Sequence, residues 1–312
     1  MSAVADRVVL AAYRAGWSLI RRVPARLAYG AFDLAADVVW RRGGHSVERL
    51  RSNYALVRPE LAADELDALV RRGVRSYLRY WCDAFRLPDL TRQQLAGSVR
   101  VVNDGPIRAH LAGGGPTVMF LGHLGNWDLG GAWSTTELAP VTTVAERLRP
   151  EELFTQFLAF REALGMRILP LTGGSDVFRE LLRALHDNAF VALLADRDLT
   201  ARGVDVDFCG HRARMAVGPA ALALTTGAPL VPISITYERA DRRTTGGSAY
   251  RIVVRFHDFV RPPESGPTKE KVRAMTQQCA DALGEAVLAD TEDWHMMQRV
   301  FVDPAAGRQG RR

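Results

Sequence analysis

The chain has 312 residues, 47% of them hydrophobic and 24% charged, and a net charge of +6. That share of apolar side chain buries a sizeable core, so disorder along the whole length is excluded, and the size suits one α/β catalytic unit with an added helical segment. Cys82, Cys209 and Cys279 are odd in number, far apart and without a CxxC pair, which excludes a disulfide framework or a zinc site and points to a reducing compartment.

Lys269 and Lys271 are the only lysines, so the positive excess is carried by arginine. Such an excess suits an anionic surface: phospholipid headgroups, nucleic acid or a phosphate-bearing co-substrate. Nucleic acid ranks low, because basic and aromatic residues do not interleave and no recognition motif is found. The first residues carry no signal peptide pattern, since Arg7, Arg14, Arg21 and Arg22 interrupt the apolar runs.

Residues 4–23 read as an amphipathic helix ended by Pro24. Val9, Tyr13, Trp17 and Ile20 make one face, and Arg7, Arg14 and Arg21 another. Such a helix either lies in a membrane interface, rings in the headgroup boundary, or packs Trp17 into its own core. A second helix over 25–43 carries Leu27, Phe32, Leu34, Val38 and Trp40 and stops at Gly43-Gly44. A third, over 63–86, carries Leu66, Leu69, Val70, Val74, Tyr77, Leu78, Trp81 and Phe85. Residues 1–99 therefore form a helical N-terminal segment, residues 100–302 a catalytic core, and residues 303–312 a disordered tail, one structural domain in all.

From about residue 100 short apolar runs (118–121, 141–144, 168–171, 190–194, 230–237, 252–256) alternate with helical stretches (126–138, 151–164, 174–187, 217–226, 269–290). The expected fold class is α/β, a central largely parallel or mixed sheet flanked by helices, with ligands at the carboxyl ends of the strands. The longest uncharged stretch, 215–237, has the length of a membrane span. Pro219, Pro229, Pro232, Gly218 and Gly227 break it, however, so it reads as a buried helix, a turn at Gly227-Ala228-Pro229 and a buried strand.

The sharpest local feature is the run from Phe120 to Gly131 (FLGHLGNWDLGG). A strand ends at Leu121, a glycine-flanked turn presents His123, and a helix starts near Asn126. Asp128, in the first turn, is placed to bend back and hydrogen-bond the imidazole, raising its basicity. Backbone amides near Gly125-Asn126 are expected to meet an oxyanion. No HxxH, HExxH or cysteine cluster accompanies the motif, so a metal site is not expected. His211 lies in a charged stretch with Arg212 and Arg214, poor company for a cation, and Gly113-Gly114-Gly115 precedes a strand and reads as a turn.

The GHLGNWD stretch resembles the HxxxxD motif of the bacterial lipid A late acyltransferase family, and within it the branch that acylates phosphatidylinositol mannosides. The resemblance runs from about residue 50 to 302. It takes in Glu146-Arg147, Phe160-Arg161-Glu162, Leu194 to Asp198, Phe208-Cys209-Gly210, the Gly218 to Pro232 block, and Asp293 to Gln298. Asp128 and Arg197 stand where the lipid A enzymes tend to have Glu and Gln, which favours the mannoside branch.

The resemblance implies transfer of a palmitoyl group from acyl-CoA, a co-substrate and not a bound cofactor, to a mannose hydroxyl of phosphatidylinositol mannoside. His123 would be the base, Asp128 would orient it or brace the loop, and Asp196 or Asp198, with Asp196 preferred, would complete a relay. Glu146, Arg147, Arg161, Asn126, Arg197 and Asp198 would contact substrate. No acyl-enzyme is expected, since a thioester is already activated and the chain has no GxSxG. Segments 153–158 and 220–224 are candidate walls of the acyl groove, and Arg197, Arg202, Arg212 and Arg214 are available for phosphates. The N-terminal helix then leans toward peripheral attachment at the anionic cytoplasmic face of the membrane. Another glycolipid or lysophospholipid acceptor, or a lipid-binding protein without catalysis, are the alternatives.

Overall fold

A computed structural model of the protein describes residues 17, 19–146, 151–171, 176–198 and 202–302. Most of the predicted N-terminal helix, the tail at 303–312, and the first residues of the predicted helix 174–187 lie outside these. The described chain opens with α1 (Ala25–Arg42), α2 (His45–Val57) and α3 (Ala63–Arg86). Gly43 (φ +65°) and Gly44 (φ +106°) end α1 at the expected place, in a backbone region that glycine enters freely. α2 was not anticipated. Its buried residues Val47, Leu50, Tyr54 and Val57 keep helical spacing, but intervening arginines dilute the apolar signal.

Short α4 (Arg92–Gly97) leads into β1 (Val99–Val102), α5 (Gly105–Ala112), β2 (Thr117–Leu121), α6 (Trp127–Glu137), β3 (Val141–Glu146) and α7 (Glu151–Ala163). Then come β4 (Arg167–Leu171), α8 (Asp176–His186), β5 (Phe190–Leu194), β6 (Val204–Phe208), β7 (His211–Met215) and α9 (Gly218–Thr226). β8 (Leu230–Arg239), β9 (Tyr250–Phe256) and α10 (Thr268–Ala289) complete the order.

Seven strands form a mixed sheet in the order β1-β9-β8-β2-β5-β3-β4, with β8–β9 antiparallel and the other pairs parallel. This is the α/β architecture expected, with its helical N-terminal region. Every residue of the central β2 is buried, as helices on both faces require. Alternation then sends Val118 and Phe120 into one core with Met275, Cys279 and Leu283 of α10. Met119 and Leu121 enter the other with Leu129 and Trp133 of α6.

The uncharged stretch 215–237 resolves as foreseen into α9, a left-handed Gly227 cap and β8. Among the described residues no helix is long and apolar enough to cross a membrane. The charged stretch around His211 is instead the β6–β7 hairpin, turning through Cys209 and Gly210, both at positive φ as a two-residue hairpin turn requires. Hairpin pairing sets Arg212 opposite Asp207 and diagonal to Asp205, with which it pairs, so that guanidinium is ion-paired within the hairpin and not held out for a phosphate.

Trp17 corrects the picture of an aromatic membrane anchor. Its Nε1–H donates to the Phe85 carbonyl at 3.1 Å, and its ring packs on Phe85 and Phe160 at 5.3 and 5.2 Å. Arg21 of the same segment pairs with Asp89. The ring is satisfied by its own core, the second of the two readings. The apolar surface left open lies one helix on, where Leu27, Leu34 and Val38 of α1 are exposed.

Candidate active site

The site grows from neighbouring strand ends. Parallel pairing sets Leu121 beside Leu194, and the Ala195 N–H extends the ladder to the Leu121 carbonyl at 2.8 Å. The next residues on each strand are therefore brought together: Gly122-His123 after β2, and Asp196 after β5. His123 Nδ1 lies 2.6 Å from Asp196 Oδ1, and the His123 backbone N–H donates to Asp196 Oδ2 at 2.8 Å. Trp294 Nε1–H donates to the same oxygen at 3.0 Å.

Asp196 has no exposure to solvent. Burial alone would push its carboxyl up, but the His123 charge and the hydrogen bonds from His123 and Trp294 outweigh it and hold the carboxyl below its ordinary value. An ionised carboxylate only accepts, so Nδ1 carries the ring proton and Nε2 presents a lone pair. The imidazole lines a cavity of about 570 Å³, its side chain 20% exposed.

The turn holding this ring needs its glycines. A Cβ on Gly125 (φ +63°) would fall 2.2 Å from the Ile235 carbonyl oxygen, and one on Gly122 2.7 Å from Leu283. The chain's last described segment locks the turn from outside. Gly125 N–H donates to the Asp293 carbonyl at 2.8 Å, and His295 N–H to the His123 carbonyl at 2.7 Å. The Gly125 amide expected to meet an oxyanion is therefore engaged already. Trp127, in contrast, lines the cavity, and its Nε1–H is buried and without a hydrogen-bond partner among the described residues.

Asp128 does not reach His123. Its carboxylate takes the Arg161 guanidinium at 2.7 and 3.2 Å and the Tyr80 hydroxyl at 2.7 Å. As a first-turn residue of α6 it meets α3 and α7, while the imidazole is held on the strand side. Burial would lower the Arg161 pKa, but the Asp128 charge more than offsets this and holds it above the ordinary value. Burial and the same carboxylate raise that of Tyr80.

Asn126 is likewise a structural group. Fully buried, it caps α6 by accepting from Leu129 N–H at 3.0 Å, and its amide nitrogen faces Asp83 Oδ2 at 3.4 Å. Both ends of the amide are thus engaged away from substrate. Asp198 lines the cavity, but its N–H bonds the Arg214 carbonyl, and of the two acids only Asp196 meets the ring. Glu146 and Arg197 line the cavity and pair with each other at 3.2 Å, and Arg197 also donates to Gln298. Arg161 borders it too, while Arg147 lies outside the described residues.

Apolar walls come from Phe154, Phe157 and Leu158 of α7 and Leu222 of α9, in the two segments expected to supply them. A smaller cavity of about 70 Å³, between α6 and the sheet, shares Trp127 and Arg161 with it. Tyr80, Trp294 and His295 were given no role in advance. Tyr80 reads as one more apolar-face residue of α3, and only the block from Asp293 to Gln298 had drawn notice, as part of a resemblance.

Comparison with known proteins finds related acyltransferases. The family model for bacterial lipid A biosynthesis acyltransferases matches residues 3–302. A phosphatidylinositol mannoside acyltransferase of Mycolicibacterium smegmatis is 40% identical over 291 residues, 93% of this chain and 90% of that protein. Another, of Mycobacterium tuberculosis, is 40% identical over 290 residues, 92% of this chain and 86% of its own length.

Proposed function

The chain belongs to the bacterial lipid A biosynthesis acyltransferase family, and from that premise we propose that it moves a long acyl group, palmitoyl, from acyl-CoA to a mannose hydroxyl of a phosphatidylinositol mannoside. The observation that carries the mechanism is the 2.6 Å contact of His123 Nδ1 with Asp196 on a ring that opens into the cavity. The acceptor hydroxyl has a high pKa and needs a base as its oxygen bonds the thioester carbonyl, help worth roughly a hundred- to ten-thousandfold. His123 Nε2 takes that proton, Asp196 stabilises the imidazolium, and the thiolate of CoA leaves as the tetrahedral intermediate collapses. Trp127 Nε1–H is the donor left to meet the oxyanion. The apolar walls of α7 and α9 suit the acyl chain. Relatives named for the mannoside reaction support the choice of acceptor.

Peripheral attachment to the anionic cytoplasmic leaflet, where CoA thioesters are at hand, is supported by the exposed Leu19, Leu27, Leu34 and Val38 with exposed Arg22, Arg26, Arg41 and Arg42 around them. The decisive experiment incubates the protein with radiolabelled palmitoyl-CoA and a panel of glycolipids and lysophospholipids, beside His123→Ala. Label is expected on the phosphatidylinositol mannoside, with a drop of roughly a thousandfold in the variant. Transfer to another acceptor would replace the substrate reading. Lipid binding with no transfer, or His123→Ala keeping more than a tenth of wild-type turnover, would sink the mechanism.

A further inference from the structure

A second histidine faces the same cavity, and the base mechanism does not use it. His295 is only 5% exposed and lines the cavity with His123. Its Nε2 lies 3.0 Å from Ser76 Oγ, and Ser76 Oγ–H in turn donates to Asp293 Oδ1 at 2.6 Å. A serine hydroxyl has one proton, and here Asp293 takes it. Ser76 Oγ must therefore accept from His295, so Nε2 carries the ring proton and Nδ1 is a bare lone pair. That Nδ1 is buried and has no hydrogen-bond partner among the described residues. A buried acceptor left unsatisfied is costly, so the atom calls for an explanation.

Resting on the acceptor reading above, we propose that His295 Nδ1 accepts a hydrogen bond from a second hydroxyl of the acceptor sugar, beside the hydroxyl that His123 activates. The Trp127 indole packs against both imidazoles, its ring centroid 5.5 Å from that of His123 and 6.3 Å from that of His295. The His295 N–H to His123 carbonyl bond fixes their spacing. Acceptor atoms on two rings that line one cavity match a polyol and not a lone hydroxyl. His295 is not a second base, because burial and the nearby charges of Arg79 and His123 push its pKa down to about 3. The two rings thus divide proton transfer from recognition. An acceptor with a single hydroxyl leaves Nδ1 unpaired and is disfavoured, which is how a hydrogen-bonding site rejects a substrate that lacks the group.

The test uses the full chain, a short-chain water-soluble phosphatidylinositol mannoside, and analogues in which each mannose hydroxyl in turn is replaced by hydrogen. One analogue that retains the reacting hydroxyl is expected to lose about tenfold in kcat/KM, mostly through KM. His295→Phe, or His295→Leu if the first does not fold, is expected to treat that analogue and the parent alike. Nitrogen NMR of the histidine-labelled wild-type protein, without acyl donor, needs no variant. The His295 Nδ1 resonance should move on adding the parent and stay in place with that analogue. Turnover of the parent with an unmoved Nδ1 resonance, or equal discrimination by wild type and variant, overturns this inference alone. A series that neither binds nor reacts overturns the acceptor reading and this inference with it.

Discussion

The end of β5 and the first turn of α6 each bury an aspartate beside the His123 turn, and the two sites differ in what they hold. Asp196, at the strand end, is met by a titratable ring and two N–H donors, and the far side of that ring opens on the cavity. Asp128, in the helix, is met by a permanently charged guanidinium and a tyrosine, and so ties α6 to α7 and α3. Both carboxylates are under 3% exposed. A carboxylate acts on a proton only through a partner able to lose one, and Arg161 is no such partner. The five-residue spacing of His123 and Asp128 therefore reports how the turn is built into the helix layer. The acid that serves the imidazole arrives from a strand 73 residues further along.

The largest expected effect breaks the strand-end site. Asp196→Asn keeps the size of the side chain but turns an amide N–H toward Nδ1, favouring the tautomer with the proton on Nε2. Turnover should fall by about a thousand- to ten-thousandfold with melting little changed. Asp128→Ala should show the opposite pattern, leaving a buried Arg161 unpaired and lowering unfolding free energy by about 3–5 kcal/mol in urea titration. A folded Asp128→Ala protein of wild-type stability that had lost turnover as completely as Asp196→Asn would end the division of roles drawn here.

All strands of the sheet but β1, and most of its helices, were legible, because β2 and β5 are short apolar runs between turn signals, and 217–237 has glycine and prolines where the chain bends. His123 was legible for the same reason, standing where periodicity two gives way to helical spacing. The partner of the ring was harder to read. Asp196 and Asp198 are the same residue type two positions apart, and only the β2–β5 register, which adds one residue past Leu194 before the carboxylate, picks the first. Asn126, expected at the substrate, caps α6, and of the two roles given to Asp128 its contacts fit bracing and not orienting the ring, because a polar residue in a motif looks the same whether it holds a helix or meets a substrate. The β6–β7 hairpin was missed because its strands carry paired charges, Asp205 and Asp207 against Arg212 and Arg214, which mask the alternation.

A third buried acid sharpens the contrast, since Asp293 is held by neutral donors alone, Ser76 Oγ–H and Tyr237 N–H. No cation among the described residues is bonded to it, and burial outweighs the nearby Arg79 charge and raises its pKa to about 6. The folded state then holds the proton more tightly than the unfolded chain, so this group stabilises fully below its ordinary value of 3.8, and that contribution is lost as pH rises through 6. The loss amounts to about 3 kcal/mol at most. Subtracting an Asp293→Asn unfolding curve from wild type between pH 4 and 7 should isolate it, and a flat difference would show that Asp293 is ionised without penalty.

The smallest effect tests the helix side at one atom. Tyr80 Oη gives its proton to Asp128 Oδ2, the oxygen that also takes the longer Arg161 contact at 3.2 Å. Tyr80→Phe removes that donor and leaves the ion pair at 2.7 Å in place. The carboxylate keeps its charge partner, so the cost is that of one hydrogen bond to a charged group, about 2 kcal/mol, well short of the loss in Asp128→Ala. Adding the two substitutions should give little more than Asp128→Ala alone, because the tyrosine has then already lost its acceptor. Full additivity in that double variant would mean that the Tyr80 hydroxyl stabilises independently of Asp128, and that the three-helix tie depends on Arg161 alone.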